Sequence, residues 1–175
     1  DLSVVFVDPG PENEEGRRLA EEPVGIDNLG WIRVNWSSNR DNLVQTDVDL
    51  AIREAGRFKA AGGGTLVDAT SIGIDRNPTA LAEISRASGI NVVMGAGYYV
   101  GPAHPDDFSS RSVDSITEEI VRDVEVGVGD TGVRSGIIGE IGCSWPWTDN
   151  EKKSVAAAVA AQRETGAPLL IHPGR

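Results

Sequence analysis

The feature that most constrains the fold is a repeated order of helix, glycine and apolar run. Three helical patterns end at Gly62, Gly89 and Gly166, and a β-type apolar segment follows each of them within a few residues. Glycine commonly follows a helix C-terminus because it adopts the left-handed conformation easily. The order therefore predicts alternating α/β structure. Since parallel neighbours need crossover connections, we expect a parallel sheet covered by helices on both faces.

Hydrophobic periodicity and capping residues place the elements. Helices are expected at about 47–61, 78–88, 115–126 and 148–165, with strands at 65–69, 90–94, 136–141 and 168–172. Capping boxes at Ser115–Glu118 and Thr148–Glu151 mark the starts of the last two helices, and Phe58 is expected on the buried face of the first. Residues 8–45 are predicted to form a long loop with a short helix around 27–34.

We therefore expect one domain over residues 1–175, with an N-terminal loop region at 1–46 and β/α units at 47–175. Periodicity alone leaves two architectures open, an open doubly wound sheet and a (β/α)8 barrel. The chain begins at Asp1 without an initiator Met and ends at Arg175 soon after an apolar run. It is therefore expected to be part of a longer protein.

The charge balance narrows the class of partner. Sixteen Lys and Arg stand against 27 Asp and Glu, for a net charge of -11. Nucleic acid and anionic membranes are poor partners because both require a basic patch. No apolar run approaches the roughly 18 residues of a membrane span, and no basic-then-apolar pattern opens the given sequence. The single cysteine, Cys143, excludes an internal disulfide. We expect a cytoplasmic protein that acts on a small molecule.

Polar side chains close the apolar runs, at the strand ends where α/β proteins bind ligands. Glu140 lies within an apolar run, and burying an unpaired carboxylate costs roughly several kcal/mol, so it needs a cation or a partner. His172 ends the next strand, one strand–helix–strand unit away. Its side chain should therefore project from the same carboxyl edge of the sheet as Glu140, into one shared opening, the mouth of the site. A carboxylate beside an imidazole suits Zn, Mn, Fe or Co. The alternatives are a Glu140 pair with an arginine such as Arg134, and a bond from His172 to a carbonyl.

Other candidates carry weaker signals. Gly62–Gly64 fits a helix C-cap and turn better than a phosphate loop, because it precedes a strand. His104 is expected to be an exposed loop histidine, and Cys143 a small buried thiol. Trp145 and Trp147 lie on the loop after Glu140, where they could wall a pocket or pack on the next helix.

At residues 136–146, GIIGEIGCSWP, the sequence closely resembles the phosphotriesterase-related proteins of the amidohydrolase superfamily. The resemblance continues through 63–70, GGTLVDAT, through 95–100, GAGYYV, and through 168–175, PLLIHPGR. It implies a (β/α)8 TIM barrel that holds two divalent metals, with Zn favoured over Mn, Co and Fe. Glu140 would be the bridging ligand on the fourth strand, and His172 the fifth-strand ligand.

The same resemblance implies a partial barrel. The family's His-x-His pair on strand 1, the histidine on strand 6 and the aspartate on strand 8 match nothing here, so the chain corresponds to strands 2 to 5 and lacks strand 1 and strands 6 to 8. Tyr99 matches a position that lines the substrate pocket, and Tyr98 and Trp145 are further candidates for substrate contact. The edge strands of a half barrel carry unpaired backbone N–H and C=O groups that can pair with another chain. We therefore expect a homodimer.

The resemblance implies a metal-dependent hydrolase. A hydroxide activated by two metals would attack an ester, a lactone, an amide of the N-acyl amino acid or taurine type, or a phosphotriester. One alternative is a non-catalytic binding protein or vestigial half barrel. Another is a nucleotide-binding open sheet, for which Gly95-Ala96-Gly97 is the nearest match to a phosphate loop.

Overall fold

The computed structural model describes residues 2, 4, 5 and 11–174 of the chain. Asp1, Ser3 and residues 6–10 of the predicted loop region lie outside them, and so does Arg175 of the last motif. The helices are α1 Glu14–Glu21, α2 Leu29–Val34, α3 Arg40–Leu43, α4 Val48–Ala60, α5 Pro78–Ser88, α6 Val113–Glu125 and α7 Asp149–Thr165. The strands are β1 Val4–Val5, β2 Val44–Gln45, β3 Thr65–Asp68, β4 Asn91–Ala96, β5 Ile137–Gly142 and β6 Leu169–His172.

The main sheet is parallel and has four strands in the order β3-β4-β5-β6, so each strand lies beside the one that precedes it in the chain. Helices α5, α6 and α7 make the crossover connections. The predicted parallel sheet is confirmed, but the prediction that helices cover both of its faces is wrong, because Val67 and Leu170 are exposed on the face away from the helix-packed core. Carboxyl ends of all four strands meet at one edge, which brings their closing residues together.

The core lies between the sheet and its helices. One cluster joins Ile116, Ile120 and Ile138 to small residues of α7, including Ala157 and Ala161. The buried apolar positions of α7 are alanines, so the helix packs closely on α6 and on the sheet, while Glu151 and Ser154 are its buried polar residues. Among the described helices, none combines the length and apolar character that crossing a bilayer demands.

Not all of the sheet is covered. Val67 and Leu170 are 53% and 39% exposed, whereas their chain neighbours Leu66 and Leu169 pack against the helix-covered core. Exposed apolar side chains on strands, rather than on loops, indicate a sheet surface that further structure can cover. This is the surface that points inward in a closed barrel.

Most helix boundaries match the predictions. Helix α5 has the predicted bounds, and the capping box of Thr148 and Glu151 is formed at the start of α7. The predicted start of α6 is wrong: the side chain of Ser112 accepts from Ser115 N, so α6 begins at Val113, before the predicted box. A local sequence match cannot show which of two nearby serines caps the helix.

Phe58 was predicted to face the core, and it does not. It is 37% exposed, and its ring lies 2.3 Å from where a Cβ on Gly63 would stand. The other predicted positions of this helix face do meet the core: Ala55 is buried there with Ala51, and Val48 and Ile52 pack against them. Gly62 has φ +96, and Gly63 N bonds to Phe58 O, so this glycine segment is the predicted cap and turn.

The N-terminal region is more ordered than the predicted loop. The helix expected around 27–34 is α2, but α1 and α3 were not predicted. The fully buried Asn39 joins them, because its Nδ2 donates to Leu19 O at 2.9 Å and to Glu22 O at 2.8 Å, and its Oδ1 caps Asn42. Such side-chain to backbone bonds leave no hydrophobic period for sequence analysis to detect.

Candidate active site

Glu140 and His172 meet at the carboxyl edge of the sheet. The Nδ1 atom of His172 lies 2.8 Å from Oε2 of Glu140, across the neighbouring strands β5 and β6. The Glu140 side chain is 23% exposed and that of His172 is 45% exposed, so both can reach an added ligand. The structure thus brings together the two residues predicted to share one mouth, and the hydrogen-bond partner shown for the carboxylate is His172.

A bulge in β5 aims Glu140 into this mouth. Ile138 pairs with Leu169 and Ile141 with Ile171, so β5 uses one residue more than β6 over this interval. Gly139 has φ +134, and a Cβ there would lie 2.4 Å from Leu170 O. Bulges of this kind redirect a side chain beside functional sites. The position therefore requires glycine, which sequence analysis did not single out.

A second glycine, Gly95, allows the backbones of β4 and β5 to approach each other closely beside Glu140. A Cβ on Gly95 would lie 2.1 Å from Gly139 O, and Glu140 N donates to Ala69 O at 3.1 Å. Gly95 is therefore needed for the approach of β5. The same glycine segment was the nearest match to a phosphate loop, and here it packs against protein backbone.

Tyr99 stands beside the histidine. Its ring meets that of His172 edge-on, with centroids 5.2 Å apart. Burial, and then the negative charge of Glu140, raise the pKa of Tyr99, so its hydroxyl stays protonated at neutral pH. This placement agrees with its predicted role as a substrate contact, because a protonated phenol can donate a hydrogen bond there.

His104 supports Tyr99 from behind. Its Nε2 donates to Tyr99 O at 2.8 Å, and its ring lies 4.1 Å from that of Phe108. Burial lowers the pKa of His104, which keeps the ring neutral. The prediction of an exposed loop histidine is wrong, because the loop after β4 folds back and half-buries the ring.

Tyr98, a candidate substrate contact, lies on the opposite side of the backbone from Tyr99. It is 1% exposed, its hydroxyl bonds to Glu119 and accepts from Arg111 Nη1 at 2.6 Å, and its ring packs on Phe108. Successive side chains of an extended segment point to opposite faces, so only one of two adjacent tyrosines can face the mouth. The structure places Tyr98 in the core against α6.

A cleft of about 860 Å3 opens beside the pair. Its lining includes Tyr99, Trp145 and His172, and also Trp36 from the N-terminal region. Trp145 is 80% exposed, which agrees with the predicted pocket wall rather than with packing on a helix. Trp36 was not predicted as a site residue, because nothing local to its sequence shows that the segment lies over the cleft.

Glu151 holds two walls of this cleft. It is fully buried; Oε1 accepts from Gly101 N at 3.0 Å and from the Ser144 hydroxyl at 2.7 Å, and Oε2 accepts from Thr148 N at 3.0 Å. Burial alone would raise the pKa of Glu151, but the bonds from Ser144, Thr148 and Gly101 lower it to about 2. Sequence analysis identified Glu151 as a capping residue and missed its contact with the Gly101 loop.

The donor atoms fit part of a metal site. Within the described residues, no group of three or more His, Cys, Asp or Glu side chains is placed to hold a metal. Two ligands at about 2.0–2.2 Å from one tetrahedral zinc stand about 3.3 Å apart. The Glu140 and His172 atoms are 2.8 Å apart, so a shift of a few tenths of an ångström would let both bind one cation. A complete metal site would need further ligands besides these two.

Comparison with known proteins relates this geometry to a family. The phosphotriesterase family model matches residues 6–175. A phosphotriesterase-related protein of Nematostella vectensis is 44% identical over 94% of this chain and 48% of its own length, and an N-acetyltaurine hydrolase of Dictyostelium discoideum is 41% identical over 90% and 42%. This chain therefore spans about half the length of these relatives.

A solved structure extends the comparison to the fold. The crystal structure of a resiniferatoxin-binding protein from Rhodobacter sphaeroides superposes with a TM-score of 0.90 at 41% identity, over 98% of this chain and 48% of that one. The structural neighbours are TIM barrels, and this chain forms a four-stranded part of such a barrel. The barrel expectation is confirmed, and the chain belongs to the phosphotriesterase family.

Proposed function

We propose that this chain supplies half of the active site of a metal-dependent hydrolase, in which two divalent cations are held in part by Glu140 and His172. The observation that carries the proposal is their contact, 2.8 Å between Oε2 and Nδ1, at the carboxyl edge of a barrel sheet. In such barrels this edge bears the catalytic residues. Zn is favoured, and Mn, Co and Fe suit the same donors.

The chain's own residues have distinct roles in the reaction. Two bound cations would lower the pKa of a water towards about 7 and polarise the scissile carbonyl. Glu140 would offer a carboxylate that offsets the repulsion of the cations, and His172 would bind a cation through a ring nitrogen. Tyr99, beside His172 and protonated, can donate to the substrate and orient it. Trp36 and Trp145 line the cleft, where their rings can contact a substrate.

An amide is the favoured substrate. The N-acetyltaurine hydrolase of Dictyostelium discoideum, 41% identical to this chain, supports an amide of the N-acyl amino acid or taurine type. Carboxyl esters and lactones also contain a carbonyl that a hydroxide can attack, and we place both of them after the amide. A phosphotriester is the least favoured of the four.

The test requires the complete barrel, by which we mean this chain carried within a protein of its relatives' length. Loaded with Zn2+ or Mn2+, the complete barrel is expected to hydrolyse N-acetyltaurine or a related N-acyl compound with a kcat/KM at least about tenfold above that for an aryl phosphotriester. A chelator should abolish turnover, and added metal should restore it. A folded, metal-loaded protein that hydrolyses no amide, ester, lactone or phosphotriester contradicts the proposal.

A non-catalytic binding protein is the second candidate. It is favoured by the two-ligand count within the described residues, and by the likeness to a protein named for binding resiniferatoxin. In the same assay this candidate predicts saturable ligand binding without turnover. The expected homodimer and the expected cytoplasmic location stay predictions.

A further inference from the structure

We propose that Glu151 is a positioning residue of the active site, whose carboxylate joins the loop after β4 to the loop after β5 and so sets the width of the cleft. The inference rests on the proposed function only for its kinetic readout. Glu151 itself lies outside the cleft lining. It acts through Gly101 and Ser144, which belong to the two loops that it joins.

The two carboxylate oxygens have separate partners. Oε2 accepts from Thr148 N at 3.0 Å, which is the ordinary bond of a capping box at the start of α7. Oε1 accepts from Gly101 N at 3.0 Å and from the Ser144 hydroxyl at 2.7 Å. Helix capping accounts for Oε2 and leaves the bonds of Oε1 unexplained. Gly101 lies 50 residues away in the chain.

Because Glu151 is buried, its carboxylate depends on the hydrogen bonds that Oε1 accepts. Glu151 is 0% exposed, although the third residue of a helix is ordinarily at the surface. A buried carboxylate is tolerated only when donors replace the water it has lost. Here the Gly101 and Ser144 donors replace it, so the charge is stable only while both loops stay in place. The bonds therefore hold the loops, and the loops keep the carboxylate charged.

The loops so joined carry cleft residues. We call the bonds of Oε1 to Gly101 and Ser144 the clamp. Val100 and Pro102, which flank Gly101, line the cleft, and so do Ser144 and the following Trp145. Tyr99, two positions before Gly101, touches the ring of His172 at 5.2 Å. A displaced wall would move groups that orient the substrate, and misplacement by about 1 Å can cost about 100-fold in rate.

The test separates the clamp from the cap within the complete barrel. Glu151→Gln keeps the shape but loses one acceptor, and Ser144→Ala removes a bond to Oε1 while leaving the cap. Thr148→Ala is the matched control, because it removes the cap hydroxyl that accepts from Glu151 N and leaves the Gly101 and Ser144 bonds. We expect Glu151→Gln and Ser144→Ala to raise KM about tenfold with kcat within about threefold. Thr148→Ala should lower thermal stability and leave KM unchanged.

Ser144 also lines the cleft, so a double variant is needed. If Ser144 acts through Glu151, the KM effects of the two substitutions are not additive; a direct substrate contact by Ser144 would make them additive. Additivity, or an unchanged KM in folded Glu151→Gln protein, overturns the inference. If Glu151→Gln does not fold, equal KM values in Ser144→Ala and Thr148→Ala overturn it.

Amide hydrogen exchange gives a readout that needs no catalysis. Gly101 N–H should exchange at least about tenfold faster in Glu151→Gln and Ser144→Ala than in Thr148→Ala. This result would support the clamp even if the complete barrel hydrolysed nothing, so failure of the inference and failure of the proposed function remain distinct. Equal exchange at Gly101 in all three variants contradicts the clamp.

Discussion

Replacing Glu140 by Gln is expected to lower kcat/KM of the complete barrel by at least about 10³-fold. The amide is neutral and could not offset the repulsion of two cations, so on the proposed function the metals would be held more weakly. The fold should change little, because the Gln oxygen can still accept from Nδ1 of His172. Steady-state kinetics with an N-acyl substrate, together with far-UV circular dichroism, measures both effects.

The matched control for this substitution is Glu164→Gln, an exposed position near the end of α7. It removes the same charge far from the site and should leave kcat/KM within about twofold, as surface changes usually do. Full activity in Glu140→Gln protein would show that the chemistry takes place elsewhere.

Replacing Arg76 by Met is expected to give the largest loss of stability, about 3–5 kcal/mol. Arg76 Nη2 lies 2.7 Å from Asp123 Oδ2, and the two side chains are 5% and 6% exposed. Arg76 Nη1 also donates to Gly95 O at 3.1 Å, which joins α6 to the strand beneath the site. Burial raises the pKa of Asp123 and Arg76 opposes that rise, so without Arg76 the carboxylate is a buried charge without its counter-ion. Urea unfolding measures the loss.

The control is the double variant Arg76→Met with Asp123→Leu. Replacing both members of a buried pair by apolar residues is often close to neutral, so it should recover most of the stability lost in Arg76→Met. A single variant as stable as the parent would show that the pair contributes nothing.

Signals that repeat locally along the chain were enough to predict much of the fold. Helix α5 and the capping box of α7 follow from side chains within one turn of each other, and the parallel sheet follows from the order of the elements. Glu140 and His172 were found because a carboxylate within an apolar strand needs a partner, and the structure supplies His172 as that partner.

Contacts between distant segments were not predictable in the same way. Trp36 reaches the cleft through a region whose helices are held by Asn39, and Glu151 bonds to a residue 50 positions away. Neither contact leaves a local period. Tyr98 and Tyr99 are identical in type and adjacent, so the face that each presents depends on the path of the backbone after β4.

The central claim, that Glu140 and His172 hold catalytic metal, is tested most directly by the metal content of the complete barrel after dialysis. We expect about two divalent ions per chain in the parent protein, and one or fewer in Glu140→Gln and in His172→Ala. His104→Asn should retain both ions, because this histidine bonds to the Tyr99 carbonyl and not to the pair. Undiminished metal in both Glu140→Gln and His172→Ala, or a metal-free parent with full activity, would contradict it.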